Sequence, residues 1–226
     1  MTPKIDQFGR VLIPRAIRNR LGLQPGSEVR FHEQPSGLLV TPAEDSVAAE
    51  LGEAGLFVFH GRLEVAERQA EWLRYRPKRL ANGRPAKVLL DSTVLLAAHL
   101  AIHPNHRDVT DLLNSDALRE AQVAISQNSL AELFEVLTST AFVPRIPPAL
   151  ARKAISRAAE RFVVLALDPQ DYLASLDKAV EAHLSGRAFQ DLLQLRAAQE
   201  WGVNRLCTLD PARYRHCAVA SLEIGL

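Results

Sequence analysis

The chain has 226 residues, of which 47% are hydrophobic and 23% charged, and its net charge is +1. This length exceeds the common domain size of about 100 to 150 residues, so we expect two domains. No apolar run approaches the roughly 20 residues that cross a bilayer, which excludes a membrane protein. Polar residues follow Met1, so we expect no signal peptide. The two cysteines, Cys207 and Cys217, have no metal-binding or redox spacing and indicate reduced thiols in the cytoplasm.

Charged residues are distributed unevenly along the chain. Residues 1–43 carry six basic and three acidic side chains (+3), residues 44–60 carry four acidic and no basic ones (−4), and residues 61–87 carry eight basic and three acidic ones (+5). Residues 88–226 carry thirteen basic and sixteen acidic side chains (−3). A basic end and a basic connector beside an acidic remainder indicate two sites with different partners, unless these runs are only solvated faces.

Residues 1–43 are predicted to form a small β-rich domain. Pro14 opens a helix over residues 15–21, and Gly22 ends it. Residues 28–34 and 38–41 flank Pro35-Ser36-Gly37, which predicts a hairpin. So short a piece exposes too much apolar surface to fold comfortably alone, so we expect it to dimerise through shared strands.

The segment Gly-Arg-Val-Leu-Ile-Pro-Arg-Ala-Ile-Arg at residues 9–18 carries a resemblance that extends over residues 4–42. It resembles the swapped-hairpin DNA-binding domain of the AbrB, MazE and SpoVT superfamily. The resemblance implies a two-fold dimer that presents basic side chains to DNA. The matching positions are Lys4, Arg10, Arg15 and Arg18. A basic dimer would bind DNA through counterion release and favour a palindromic operator. The alternative is a dimerisation module with ordinary surface charges.

Residues 44–85 are predicted to form a tail and linker. The apolar patch at residues 56–59 is too short to make its own core, so we expect it to be buried against another surface. Residues 62–76 have the apolar periodicity of a helix. The prolines, glycine and basic residues of the segment 77–85 indicate a linker.

Residues 86–226 alternate between predicted strands and helices. We predict strands at 87–90, 122–126, 162–167, 204–208 and 217–222, and helices from Thr93 and over 129–138, 147–161, 169–184 and 188–201. This alternation predicts an α/β fold, with a parallel sheet covered by helices on both faces and ligands bound at the carboxyl ends of the strands.

Four acidic residues are candidates for a metal site in this region. Asp91 and Asp210 follow predicted strands, whereas Glu132 and Asp191 lie in apolar helical stretches. Buried carboxylates without a partner are costly, so these acids need a cation or hydrogen-bond donors. Oxygen ligands without histidine or cysteine favour Mg²⁺ or Mn²⁺. The alternative is that each acid only caps a helix or interacts with a helix dipole.

The segments that contain these acids resemble motifs of PIN-domain nucleases, in particular the VapC toxins. They are Val88-Leu-Leu-Asp-Ser-Thr-Val-Leu-Leu96, Ser129-Leu-Ala-Glu-Leu-Phe134, Phe189-Gln-Asp-Leu-Leu193 and Arg205-Leu-Cys-Thr-Leu-Asp210. Thr93 stands where the family often has asparagine, and Leu192 where it has alanine. The resemblance implies RNA hydrolysis by one or two divalent ions held by the four acids. Thr208 is a candidate to orient a metal ligand by a hydrogen bond.

The two halves together resemble a VapB antitoxin fused to a VapC toxin. In such pairs the antitoxin tail covers the nuclease, so we predict that residues 56–76 pack on the PIN domain and that Arg74 or Arg76 enters its acidic pocket. The predicted domains are 1–43, 44–85 and 86–226, and the predicted partners are RNA, operator DNA and a second copy of the chain. The alternatives are a DNA-binding regulator with a silent PIN domain and a nuclease that the tail does not restrain.

Overall fold

The computed structural model describes residues 4–21, 23, 28–34, 37–42, 47–63, 86–139, 142–217 and 222–226. The chain divides into two compact units, Met1–Ser46 and Val47–Leu226. Over these described ranges, no helix has the length and apolar character that crossing a membrane requires.

The first unit contains a short helix and a hairpin. Helix α1 covers Arg15–Leu21, and strands β1 (Val29–Gln34) and β2 (Gly37–Pro42) pair antiparallel. Upstream, Ile5 and Val11 form an antiparallel bridge around a turn in which Gly9 has a φ of 76°. Glycine suits that turn because it adopts positive φ without a steric penalty. The helix and hairpin expected from the sequence are both confirmed.

The second unit follows the alternation that the sequence predicts. Its elements are β3 (Ala48–Leu51), β4 (Phe57–His60), β5 (Arg62–Leu63), β6 (Lys87–Leu90), α2 (Ser92–His99), α3 (His106–Asn114), α4 (Asp116–Arg119), β7 (Gln122–Ser126), α5 (Gln127–Ser139), β8 (Phe142–Val143), α6 (Pro148–Arg161), β9 (Val163–Leu165), α7 (Pro169–Glu181), α8 (Arg187–Trp201), β10 (Arg205–Cys207), a 3₁₀ helix (Pro211–Cys217) and β11 (Glu223–Gly225).

Within the described residues, a five-stranded parallel sheet forms the centre of this unit. The strand order is β11-β10-β6-β7-β9, and every neighbouring pair is parallel. Val88 and Leu90 pack in one apolar cluster, whereas Leu89 packs in another. Because side chains alternate along a strand, β6 is buried on both faces, as is typical of a parallel sheet covered by helices. The predicted fold class is confirmed.

The order of the strands creates a switch point beside β6. The chain moves from β6 to β7 and β9 on one side, and then returns to β10 on the other side. In open α/β sheets, ligands bind in the crevice at the carboxyl ends of the strands where the order reverses. Here Asp91 follows β6 and the segment Thr208–Asp210 follows β10, so this crevice is lined by predicted site residues.

The apolar patch at residues 56–59 is buried in the core of the second unit. Leu56 is 1% exposed and Phe59 is 0% exposed, and both belong to the apolar cluster that contains Val88 and Leu90. The Phe59 carbonyl accepts a hydrogen bond of 3.1 Å from the Ala101 amide. The expectation that this patch packs against another surface is confirmed, and the structure groups residues 47–63 with the sheet-containing unit.

Two predicted elements differ from the structure. Arg62 and Leu63, expected to begin a helix, form β5 and pair with Val143 and Phe142. Apolar periodicity does not predict β5, because this strand forms only by pairing with β8. Residues 64–76 of the predicted helix lie outside the described residues. The sequence predicts a strand at residues 217–222, of which 218–221 lie outside the described residues. Cys217 belongs to the 3₁₀ helix, and the strand that pairs with β10 lies at Glu223–Gly225, in a register that only the folded sheet defines.

Candidate active site and nucleic-acid interface

Asp91 is held rigidly at the carboxyl end of β6. Its amide donates a 3.1 Å hydrogen bond to the Cys207 carbonyl of β10. Its Oδ1 atom caps α2, accepting hydrogen bonds from the amides of Thr93 (2.9 Å) and Val94 (3.2 Å) and from the Thr93 hydroxyl (2.6 Å). The carboxylate is therefore both a helix cap and a buried acid that is 1% exposed.

Threonine side chains join this carboxylate to the loop after β10. The Thr93 hydroxyl accepts a 2.9 Å hydrogen bond from the Leu209 amide and lies 3.4 Å from the Thr208 hydroxyl. The Thr208 hydroxyl in turn accepts a 3.0 Å hydrogen bond from the Asp210 amide. The two segments that flank the crevice are thus connected by buried hydroxyls, and Asp210 lies at its edge.

Glu132 and Asp191 come together around an arginine that the sequence patterns did not single out. Arg213 lies on the 3₁₀ helix directly after Asp210. Its Nε and Nη2 atoms donate to Asp191 Oδ1 at 2.8 and 2.5 Å, and Nη2 also lies 3.4 Å from Glu132 Oε1. The other carboxylate oxygen of Glu132 accepts a hydrogen bond from the Ser92 hydroxyl.

Tyr214 connects this arrangement to Asp91. Its buried hydroxyl donates a 3.2 Å hydrogen bond to Asp91 Oδ2, the oxygen that does not cap α2. The 3₁₀ helix therefore places two neighbouring side chains against three of the four predicted acids. No periodic pattern in the sequence predicts this short helix. The signal that could have identified its role is a basic residue, Arg213, three positions after the candidate metal ligand Asp210.

Burial and charge act in opposite directions on the groups of this pocket. Burial raises the pKa of Asp91 and of Asp191, and the nearby Arg213 guanidinium partly offsets that rise in both. Burial works to lower the pKa of Arg213, but its contacts with Tyr214 and with the acids raise that pKa above the usual value. Burial also raises the pKa of Tyr214, so the phenol keeps its proton. The pocket is therefore a largely buried acidic site whose negative charge is offset in part by one guanidinium.

The pocket suits a hard divalent ion by its donor chemistry. Its acids offer the carboxylate oxygens that Mg²⁺ or Mn²⁺ prefers. The Arg213 guanidinium contributes one positive charge beside two of them. Across the residues that the structure describes, no group of three or more histidine, cysteine, aspartate or glutamate side chains is spaced to hold a metal. Arg213 pairs with both Glu132 and Asp191 in this arrangement. The other predicted cations, Arg74 and Arg76, lie outside the described residues.

The basic residues of the first unit surround its turn and helix. Lys4, Arg10 and Arg15 are exposed, and Arg10 lies 4.9 Å from the ring centroid of Phe8. Arg18 is half-buried. Asp6 fixes the turn, since its Oδ1 atom accepts 2.9 Å hydrogen bonds from the amides of Phe8 and Arg10.

Comparison with known proteins agrees with this architecture. Residues 88–219 match the PIN domain family, and residues 4–47 match the family described as antidote-toxin recognition MazE, bacterial antitoxin. The chain therefore belongs to the PIN-domain family and carries a MazE-like antitoxin domain at its N-terminus. It is also similar to "Antitoxin VapB27" of Mycobacterium tuberculosis (strain ATCC 25618 / H37Rv), with 34% identity over 65 residues, which cover 29% of this chain and 82% of that protein.

Proposed function

We propose that this chain is a metal-dependent endoribonuclease of the toxin type, restrained by its own antitoxin-like tail and joined to a domain that binds operator DNA. The observation that carries the proposal is the pocket at the switch point, where Arg213 pairs with Glu132 and Asp191 and the neighbouring Tyr214 donates a hydrogen bond to Asp91. Asp210 follows β10 at the same edge of the sheet, where its amide donates a hydrogen bond to the Thr208 hydroxyl, and its carboxylate is the fourth proposed ligand. This is the donor set that Mg²⁺ or Mn²⁺ prefers.

The pocket residues suit phosphodiester hydrolysis. Bound Mg²⁺ or Mn²⁺ would polarise the scissile phosphate and activate a water molecule. Asp91, Glu132, Asp191 and Asp210 would hold the ion directly or through water. Thr208 and Thr93 would support the site from outside, since their hydroxyls already join the Asp91 and Asp210 loops. Substrate would enter from the carboxyl edge of the sheet.

The connectivity favours restraint by the tail of the same chain. Residues 64–85 connect β5, which pairs with β8, to β6 in the centre of the sheet. Both ends of this basic segment are therefore anchored on the PIN unit. Such tethering gives a segment an effective concentration on the order of millimolar, so weak contacts between Arg74 or Arg76 and the acidic pocket would suffice for inhibition.

RNA cleavage by the full chain tests the proposed activity and restraint. We expect weak cleavage in Mn²⁺, none in EDTA, and at least about tenfold faster cleavage in Mn²⁺ when Arg74 and Arg76 are both changed to glutamine, because each guanidinium competes for carboxylates. The matched control changes Arg79 and Arg84 of the same segment to glutamine. Equal cleavage by the wild type and the Arg74/Arg76 variant would indicate a nuclease that these arginines do not restrain.

A DNA-binding regulator with a silent PIN domain is the second candidate. The contact that favours it is the pairing of Arg213 with Glu132 and Asp191, which satisfies both acids without a metal. Absence of RNA cleavage in Mn²⁺ from both the wild type and the Arg74/Arg76 variant would favour this function over the nuclease.

The first unit has the surface expected of a dimer. Its exposed apolar side chains include Ile5, Phe8, Val11, Leu12, Phe31, Leu38 and Leu39. Such a concentration of exposed apolar groups on a small unit indicates a partner surface, and a second copy of the same unit would cover it. A dimer would also place two sets of Lys4, Arg10, Arg15 and Arg18 on one DNA duplex.

Changing Arg10 and Arg15 to glutamine is expected to weaken DNA binding about tenfold or more, and to flatten its dependence on log salt by about 0.9 for each phosphate that is no longer neutralised. Binding of the full chain to the duplex upstream of its own coding sequence, titrated at several salt concentrations, measures both effects. The control is Arg30→Gln, an exposed arginine on β1 of the same unit. Equal weakening by Arg30→Gln would assign the effect to net charge and not to the turn and helix.

A further inference from the structure

The Arg213 side chain is unusually well buried for an arginine beside a candidate metal site. It is 9% exposed, and its Asp191 partner side chain is 7% exposed. Its remaining nitrogen, Nη1, is buried and has no hydrogen-bond partner among the described residues. Burying a guanidinium nitrogen without a hydrogen-bond partner costs free energy. The hydrogen bonds of Nε and Nη2 to the acids must offset that cost.

The hydrogen bonds of Arg213 engage one oxygen of each of two proposed metal ligands. Asp191 Oδ1 accepts from both Nε and Nη2. Glu132 uses Oε1 for Arg213 and Oε2 for the Ser92 hydroxyl. An ion that binds Asp191 through Oδ1 must take a lone pair that the guanidinium now holds, and a divalent ion would also repel the nearby positive charge.

We infer that Arg213 is a built-in competitor of the divalent metal, an arginine that pairs with Asp191 and Glu132 until a metal ion displaces it. This inference rests on the proposed metal-dependent function and adds its regulation. The competitor belongs to the PIN unit itself, on the 3₁₀ helix that follows Asp210, so it would compete with the metal even when the tail arginines are removed. Metal binding would require this helix or the Arg213 side chain to move away from the acids.

Mn²⁺ titration of the full chain tests the competition. Arg213→Gln is expected to bind Mn²⁺ about tenfold more tightly than the wild type in calorimetry, a size typical of coupling between two ligands. Arg213→Lys keeps the charge but lacks the planar fork, so its affinity should fall between the two. The matched control is Arg215→Gln, which removes an exposed positive charge from the same helix and should bind Mn²⁺ like the wild type.

Thermal unfolding separates competition from a purely structural role. In EDTA, Arg213→Gln should have a lower melting temperature than the wild type, because its acids lose their cation. Adding Mn²⁺ should raise the melting temperature of Arg213→Gln by more than it raises that of the wild type. If Arg213→Gln is unfolded in EDTA, Mn²⁺ should restore its circular dichroism spectrum. An unchanged or weaker Mn²⁺ affinity, or a melting loss that Mn²⁺ does not reduce, would overturn the inference.

RNA cleavage distinguishes this inference from the proposed function. Tighter Mn²⁺ binding by Arg213→Gln without cleavage by any variant supports the competitor and contradicts the ribonuclease. Cleavage by the wild type with equal Mn²⁺ affinity in Arg213→Gln supports the ribonuclease and overturns the competitor.

Discussion

Asp91→Asn is expected to lower Mn²⁺-supported RNA cleavage by about 100-fold or more, because it removes the negative charge of a proposed ligand from a desolvated site. The fold should be preserved. Asparagine caps helices as well as aspartate does, and its Oδ1 atom can accept the same hydrogen bonds from the amides of Thr93 and Val94. The rate is measured on the most active background, the Arg74/Arg76 variant.

The matched control for Asp91→Asn is Asp168→Asn. Asp168 caps α7 in the same manner, accepting a 2.8 Å hydrogen bond from the Asp171 amide, but it is exposed. The Asp168→Asn substitution should leave the rate of RNA cleavage unchanged. Cleavage by Asp91→Asn at the rate of its parent would mean that the carboxylate only caps α2, and the metal site would have to be assigned elsewhere.

Phe59→Ala is expected to reduce the free energy of unfolding of the PIN unit by about 3 to 5 kcal/mol, the usual cost of removing a buried phenylalanine. Phe59 is 0% exposed and packs in the main apolar cluster of that unit. Since whole domains are stable by only about 5 to 15 kcal/mol, the variant would be close to unfolding. Urea denaturation of the full chain, followed by circular dichroism, measures the loss.

Leu51→Ala on the adjacent strand is the control for Phe59→Ala. Leu51 is 58% exposed, so its removal should cost less than about 1 kcal/mol. Equal losses in the two variants would contradict the integration of residues 47–63 into the PIN core. If the integration holds, a fragment beginning at residue 86 lacks part of its own core, and restraint by the tail is better tested with substitutions than with truncation.

Local sequence patterns were sufficient for most regular elements. Strand β7 has the bounds predicted from its apolar run, and α1 has those predicted from Pro14 and Gly22. The apolar patch at residues 56–59 also indicated its own burial, since four consecutive apolar residues need a surface. These features depend on hydrophobic periodicity and on proline or glycine, which act within a few residues of one another.

The pairing of β5 with β8, the position of β11 and the role of Arg213 depended on tertiary structure. Arg62 and Leu63 become a strand because β8 offers hydrogen bonds, and no local signal marks that partner. The buried acids indicated that a cation is needed. Arg213 becomes that cation because the segment after β10 folds back over α5 and α8, which carry Glu132 and Asp191. The amino-acid sequence by itself determined the α/β class, the antitoxin-like domain and the candidate acids, because these depend on local patterns and motifs. The arrangement of the acids around an internal guanidinium was decided by the tertiary structure, because ion pairing acts between side chains that are distant in sequence and adjacent only in the fold.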